Sequence, residues 1–138
     1  MKRFIYLLLV VLAVACQNPV IEKVEETYPD NQPKRISFFQ EIKGKEIKVE
    51  EKHFHSNGKL KMTGKFLNGK REGEWKAYFD NSQLQSLGTF KNGIQTGETK
   101  VYFFNGKLRY EGQYENNKEI GHWKFFNEQG KLIKEQDF

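Results

Sequence analysis

Three histidines, one cysteine and four serines hold most of the reactive side chains in this 138-residue chain. His53 and His55 alternate, so a strand points both to one face, where two imidazoles can begin a metal site. No cysteine and no paired carboxylate at ligand spacing joins them. The expectation is therefore solvated strand histidines, His122 included, and no metal. Ser37, Ser56, Ser82 and Ser86 lie in neither a nucleophile elbow nor a Ser-x-x-Lys context. Glu72 and Glu74 flank Gly73 without a partner that would make an acid–base pair. No Gly-x-Gly-x-x-Gly or phosphate loop is present. The reading is no enzyme, no catalytic residue and no cofactor.

Residues suited to binding are more regular. Lys52, Lys76, Lys100 and Lys124 recur every 24 residues, beside Phe54, Tyr78, Tyr102 and Phe126. On alternate strands equivalent lysines would stand about 10 Å apart, two strand spacings. Lys76, Tyr78, Lys100, Tyr102, Arg109, Lys124 and Phe126 form a candidate face for an acidic protein surface, a glycan or lipid headgroups. The plainer expectation is that the aromatics close the sheet ends and the lysines solubilise. Three segments differ between repeats while their frame is kept: Lys70-Arg71-Glu72, Ile94-Gln95-Thr96 and Lys118-Glu119-Ile120. Read as loops on a fixed frame, they are candidate specificity positions.

The frame itself comes from turns. Asn-Gly or a stand-in occurs at Asn57-Gly58, Asn68-Gly69, Asn81-Ser82, Asn92-Gly93, Asn105-Gly106, Asn116-Asn117 and Gln129-Gly130, at alternating intervals of 11 and 13 residues. Asn-Gly suits the type I′ hairpin turn, whose two central residues both need φ > 0. Gly64, Gly88 and Gly112 repeat at 24 residues, as do Gly73, Gly97 and Gly121, and Leu60, Leu84, Leu108 and Leu132. Leu108, Tyr110, Gly112 and Tyr114 alternate with charged or polar neighbours, the period of a strand. Trp75, Ala77 and Phe79 share one face of the next segment. The strand glycines leave room for a neighbour's ring to lie over bare backbone. The fold class predicted is all-β: an elongated antiparallel meander of stacked β-hairpin repeats with a 24-residue period, in a single-layer twisted sheet. A lone unit cannot bury enough to fold, so stacking is obligatory. Residues 54–138 are the repeat domain and 36–53 a degenerate capping hairpin. The Lys131, Lys134 and Asp137 charges protect the last strand as an edge.

The run from Tyr102-Phe-Phe-Asn-Gly106 through Gly112-Gln-Tyr114 to Gly121-His-Trp123, with Phe54 to Leu60 and Gly73-Glu-Trp75, resembles the MORN-repeat variant family. Thr99 stands where the pattern expects Trp. The resemblance implies an elongated sheet of hairpins used for protein contact or scaffolding, sometimes near membranes. It also implies, for bacterial variants, an antitoxin or immunity role in toxin pairs.

The first residues are of another kind. Met1-Lys-Arg3 precedes twelve uncharged residues, Phe4 to Ala15, too few to span a bilayer. Residues 1–15 read as a secretory signal peptide. Cys16, the only cysteine, excludes an intramolecular disulfide. Leu12-Ala-Val-Ala15-Cys16 resembles a bacterial lipobox, with Ala13 in place of the usual Leu. That implies a diacylglycerol on the Cys16 sulfur and an acyl chain, palmitate for example, on its new amino group. Residues 16–35, with Pro19, Pro29, Pro33 and mixed Glu and Lys, read as a lipidated flexible tether. The formal charge of +5 falls to +3 once Lys2 and Arg3 leave with the leader, and its signs are interspersed, so nucleic acid is not expected.

Together these features predict a lipid-anchored binding or scaffold protein of the bacterial envelope, at the outer membrane or cell surface rather than the inner. Its partner would be another protein. The alternatives are sequestration of a toxin, and a structural spacer or glycan-binding module. Exposed Trp75, Trp123 and Phe103 on one sheet face would make a large apolar patch, so dimerisation or burial by a partner is also anticipated.

Overall fold

A computed structural model describes residues 19–138. Ten strands follow one another: β1 (Val20–Thr27), β2 (Pro33–Ile42), β3 (Lys45–Phe54), β4 (Leu60–Leu67), β5 (Lys70–Tyr78), β6 (Leu84–Lys91), β7 (Ile94–Tyr102), β8 (Leu108–Glu115), β9 (Lys118–Phe126) and β10 (Leu132–Asp137). They form one open antiparallel sheet in chain order, β1 to β10, with no helix among the described residues. The all-β repeat meander predicted from the turn spacing is therefore the fold. The segment read as a signal peptide, and Cys16, lie outside the described residues.

Two turn classes explain the alternating 11 and 13. At Asn68-Gly69 both residues have positive φ, +52° and +76°, the type I′ geometry. Lys43-Gly44, Asn92-Gly93 and Asn116-Asn117 repeat it. The other turns are longer. In His55–Lys59 the Gly58 N–H donates to the His55 carbonyl (2.9 Å) and the His55 N–H to the Lys59 carbonyl (2.8 Å). Only Gly58 has positive φ there, and the Asn57 side chain accepts the Lys59 N–H at 3.0 Å. This is a type I turn closed by a residue in αL. The expectation of type I′ throughout holds for three of the seven turns in the series, because the longer loops need one left-handed residue rather than two.

The tether reading fails for residues 20–35. Val20–Thr27 is a strand, paired antiparallel with β2. Its turn uses the same long geometry: the Asn31 N–H donates to the Tyr28 carbonyl (2.9 Å), and Asn31 stands at φ +66°. Prolines and charges mask this hairpin in the sequence. Pro33 sits at the first residue of β2, where a missing N–H is tolerated, and the Glu25 carboxylate accepts a hydrogen bond from buried Ser37. The capping hairpin is present as β2 and β3, but β1 covers its outer edge.

Register shifts recur in every repeat. Gly64 pairs with Trp75 while Lys65 pairs with Glu72, so Gly73 and Glu74 bulge; Gly73 has φ +70°. Lys61, Gln85 and Arg109 are the extra residues at the other end of each unit. Bulges add local twist and bend the bulged strand. The anticipated exposed tryptophan patch does not arise: Trp75 is 4% and Trp123 1% exposed, covered by side chains of their own sheet.

Candidate functional site

Residues 51, 75, 99 and 123 occupy one column on β3, β5, β7 and β9, and every one is buried. Facing them are the glycines of β4, β6 and β8. The Trp75 ring lies over Gly64 and the Trp123 ring over Gly112, so close that a Cβ on either glycine would fall 2.2 Å or 2.1 Å from ring atoms. Each indole is edged by its neighbours. Trp75 meets Phe66 at 5.3 Å and Phe90 at 6.3 Å; Trp123 meets Tyr114 at 5.3 Å and Phe138 at 5.8 Å. The indole N–H groups donate to the Lys65 and Ile120 carbonyls, so burial leaves no donor unpaired. Burial, with the Glu119 charge beside it, pushes the Tyr114 phenol up. The Arg71 guanidinium stacks 4.1 Å from the Trp75 ring centroid and 5.4 Å from that of Phe90.

The lysine column projects from the opposite face, one residue on. Three of its four lysines are paired with carboxylates. Lys52 lies 3.4 Å from Glu50, Lys76 2.9 Å from Glu74, and Lys100 3.9 Å from Glu98 and 4.0 Å from Glu111. The hydrogen bond to Glu74 raises the Lys76 ammonium pKa. Lys100 and Lys124 line a shallow groove of about 320 Å³ with Glu98, Glu111, Gln113 and His122. Arg109 is elsewhere: it sits 5.7 Å over the Phe103 ring and lines a wider groove of about 600 Å³ with Tyr110, Phe125, Phe126 and Ile133. Tyr78 and Tyr102 end β5 and β7, half-buried, beside the bulges at Gln85 and Arg109. The seven candidate residues thus divide between two charged grooves, Lys76 in one and Lys100 and Lys124 in the other, and the sheet end.

The three variable segments are not loops. Lys70-Arg71-Glu72, Ile94-Gln95-Thr96 and Lys118-Glu119-Ile120 open β5, β7 and β9. The turn that follows each of the first two segments is stitched back to it. The Gly93 N–H donates to the Arg71 carbonyl (2.9 Å) and the Asn92 N–H to Glu72 (2.8 Å). One repeat later the Asn117 N–H donates to the Gln95 carbonyl (3.1 Å), and the Gln95 N–H to the Asn117 side chain (2.8 Å). The variable positions therefore form one continuous rim.

The MORN repeat variant pattern matches residues 49–68, 71–92, 95–116 and 119–138, in phase with these columns. The chain belongs to the MORN repeat variant family. No curated protein and no solved structure matches it. MORN repeats suggest a repeat-based binding or scaffold role. The first match begins within β3, five residues ahead of the start expected at Phe54.

Two positions depart from the Trp column of this MORN array. Thr99 was visible in the sequence as a substitution. Glu51 was not singled out, although its place 24 residues before Trp75 puts it in that column. It is 8% exposed and lies 2.8 Å from the Lys48 Nζ and 2.6 Å from the His53 Nε2. Burial pushes the Glu51 carboxyl pKa up, but the hydrogen bonds and charges of Lys48 and His53 outweigh that and lower it. Glu25 joins the cluster, its pKa lowered first by the Ser37 hydroxyl. His53 is thus a hydrogen-bond partner of a buried carboxylate rather than a solvated residue. His55 donates to the Tyr78 carbonyl at 2.9 Å, and His122 lies between Glu135 (3.0 Å) and Asp137 (2.7 Å). Among the described residues no three potential ligands gather as a metal site.

Proposed function

We propose that this chain is a lipid-anchored MORN-repeat module that binds a protein partner in the bacterial envelope. The observation that carries the binding half is the rim, where segments that vary between repeats are tied to the next turn by a recurring backbone hydrogen bond, Gly93 N–H to the Arg71 carbonyl and Asn117 N–H to the Gln95 carbonyl. A constant frame with variable contact positions is how repeat arrays place specificity. Ile94, 39% exposed, stands in the middle of it. The anchoring half rests on Cys16 and the leader before it. Neither half requires catalysis.

Affinity capture of the tagged chain from detergent-solubilised native membranes tests the binding half. One partner recovered near one-to-one and surviving moderate salt is the expected result, and its identity would decide the immunity reading that the family resemblance implies. Nothing above background would favour a spacer and sink the module. Labelling with radioactive palmitate tests the anchor: incorporation into the chain, lost in Cys16→Ser, is expected.

A further inference from the structure

We propose that the site around Thr99 takes an aromatic side chain, an indole with a carboxylate close by, from the partner protein. The inference rests on the binding-module reading and locates its central contact.

In two hairpins the column residue supplies an indole that covers the facing glycine. In the hairpin between them it does not. Gly88, paired with Thr99, has no ring over it: an added Cβ would meet only the Gln95 amide nitrogen at 3.4 Å, Phe90 at 3.8 Å and the Thr99 hydroxyl at 3.9 Å. The walls that edge an indole elsewhere are nevertheless kept. Phe90 stands where Phe66 and Tyr114 stand against Trp75 and Trp123, and Tyr114 follows one repeat later. A groove of about 320 Å³ remains, with Gly88 in its floor and Phe90, Gln95, Thr99 and Tyr114 about it. The flexible Gln95 side chain, in the position held by Arg71 one repeat earlier, comes nearest to the bare Gly88 backbone.

The neighbouring repeats show what fits. Trp75 and Trp123 are both nearly dry in their niches, so the unfilled copy matches a third indole in shape and wall chemistry. Charge narrows the occupant further. The Arg71 guanidinium lines the same groove and makes no ion pair among the described residues, its contacts being the faces of Trp75 and Phe90. A carboxylate beside the incoming ring would pair with it. An aromatic anchor seated in a desolvated niche is also the usual energetic centre of a protein interface.

The test is an NMR titration of the full ¹⁵N-labelled chain, held in zwitterionic detergent, with 3-indolepropionate and separately with neutral N-acetyltryptophanamide. Saturable shifts centred on Gly88, Gln95 and Thr99 are expected, with a Kd on the order of a millimolar for so small a probe. Thr99→Trp fills the site from within and abolishes them. Gly88→Val, which blocks the floor where a Cβ has room, does the same if the larger change disturbs folding. Arg71→Gln weakens the carboxylate probe roughly two- to five-fold and leaves the neutral one unchanged. No saturable shift, shifts that persist in both filling variants, or shifts produced by N-acetylglucosamine and not by the indoles would each overturn the proposal. If membranes yield the same partner with Thr99→Trp as with the unaltered chain, the site falls while the binding module stands.

Discussion

The Trp123 indole lies so close over Gly112 that a Cβ there would sit 2.1 Å from the ring, whereas at Gly88 the nearest atom would be 3.4 Å away. One sequence column thus holds glycines of two kinds. Gly112→Ala must push aside a buried ring that Tyr114 and Phe138 hold in place, an overpacking cost of about 1–3 kcal/mol. Gly88→Ala meets only the end of a flexible side chain and gains strand propensity, so its effect should lie within about 0.5 kcal/mol of zero or be stabilising. Urea unfolding of the two variants measures the contrast; equal losses would refute the covered-glycine account.

Ser82 is the one residue of the seven-turn series that takes the left-handed position without being Gly or Asn, at φ +73°. Ser82→Gly relieves a strain of roughly 1–2 kcal/mol, part of which is returned as unfolded-state freedom. A net gain of about 0.5–1 kcal/mol is expected in thermal or urea melts.

Glu51 replaces an indole with a buried charge held by two partners, Lys48 and His53. Glu51→Ala strands Lys48 and His53 and should cost about 1–3 kcal/mol. Because the Glu51 carboxyl pKa is held below its ordinary value, its contribution is present above the unfolded pKa, near 4.3, and lost as pH falls through the folded one. The pair Lys48→Met with Glu51→Leu should recover much of the loss, since apolar packing can replace a buried ion pair. Melts of all three at pH 7, and of Glu51→Ala against the parent from pH 6 to 3, check both points.

His122 clamps β10 to β9 through Glu135 and Asp137, whose hydrogen bonds raise its pKa above the ordinary 6.5. A raised imidazole stabilises fully below the unfolded pKa and loses that contribution as pH rises through the folded one. Amide protection in β10 should therefore be higher at pH 6 than at pH 9, relative to intrinsic exchange. His122→Gln should flatten the difference, and an unchanged profile in that variant would exclude the clamp.

How much was legible follows from where each feature is encoded. The meander was readable because Asn-Gly turns and alternating residues act on their own few bonds of backbone. Asn68-Gly69 selects φ > 0 whatever lies across the sheet. Thr99 was readable as a gap in a column, since a repeat supplies its own reference. The Val20–Thr27 strand was hidden: Pro29, Pro33 and the glutamates lower its local signal, and it forms by pairing with β2. Glu51 was hidden likewise, because a glutamate on a strand looks solvated until its register places it against Lys48 and His53.

The amino-acid sequence alone therefore determined the strand count of the repeat, its turns and its 24-residue period, all of which are short-range backbone preferences. The tertiary structure decided which face each side chain met and at what distance. Pairing Lys100 with Glu111, burying the tryptophans without a second layer and leaving Gly88 uncovered all depend on cross-strand register. Register joins residues 10 to 26 positions apart, and only the folded sheet brings them within reach.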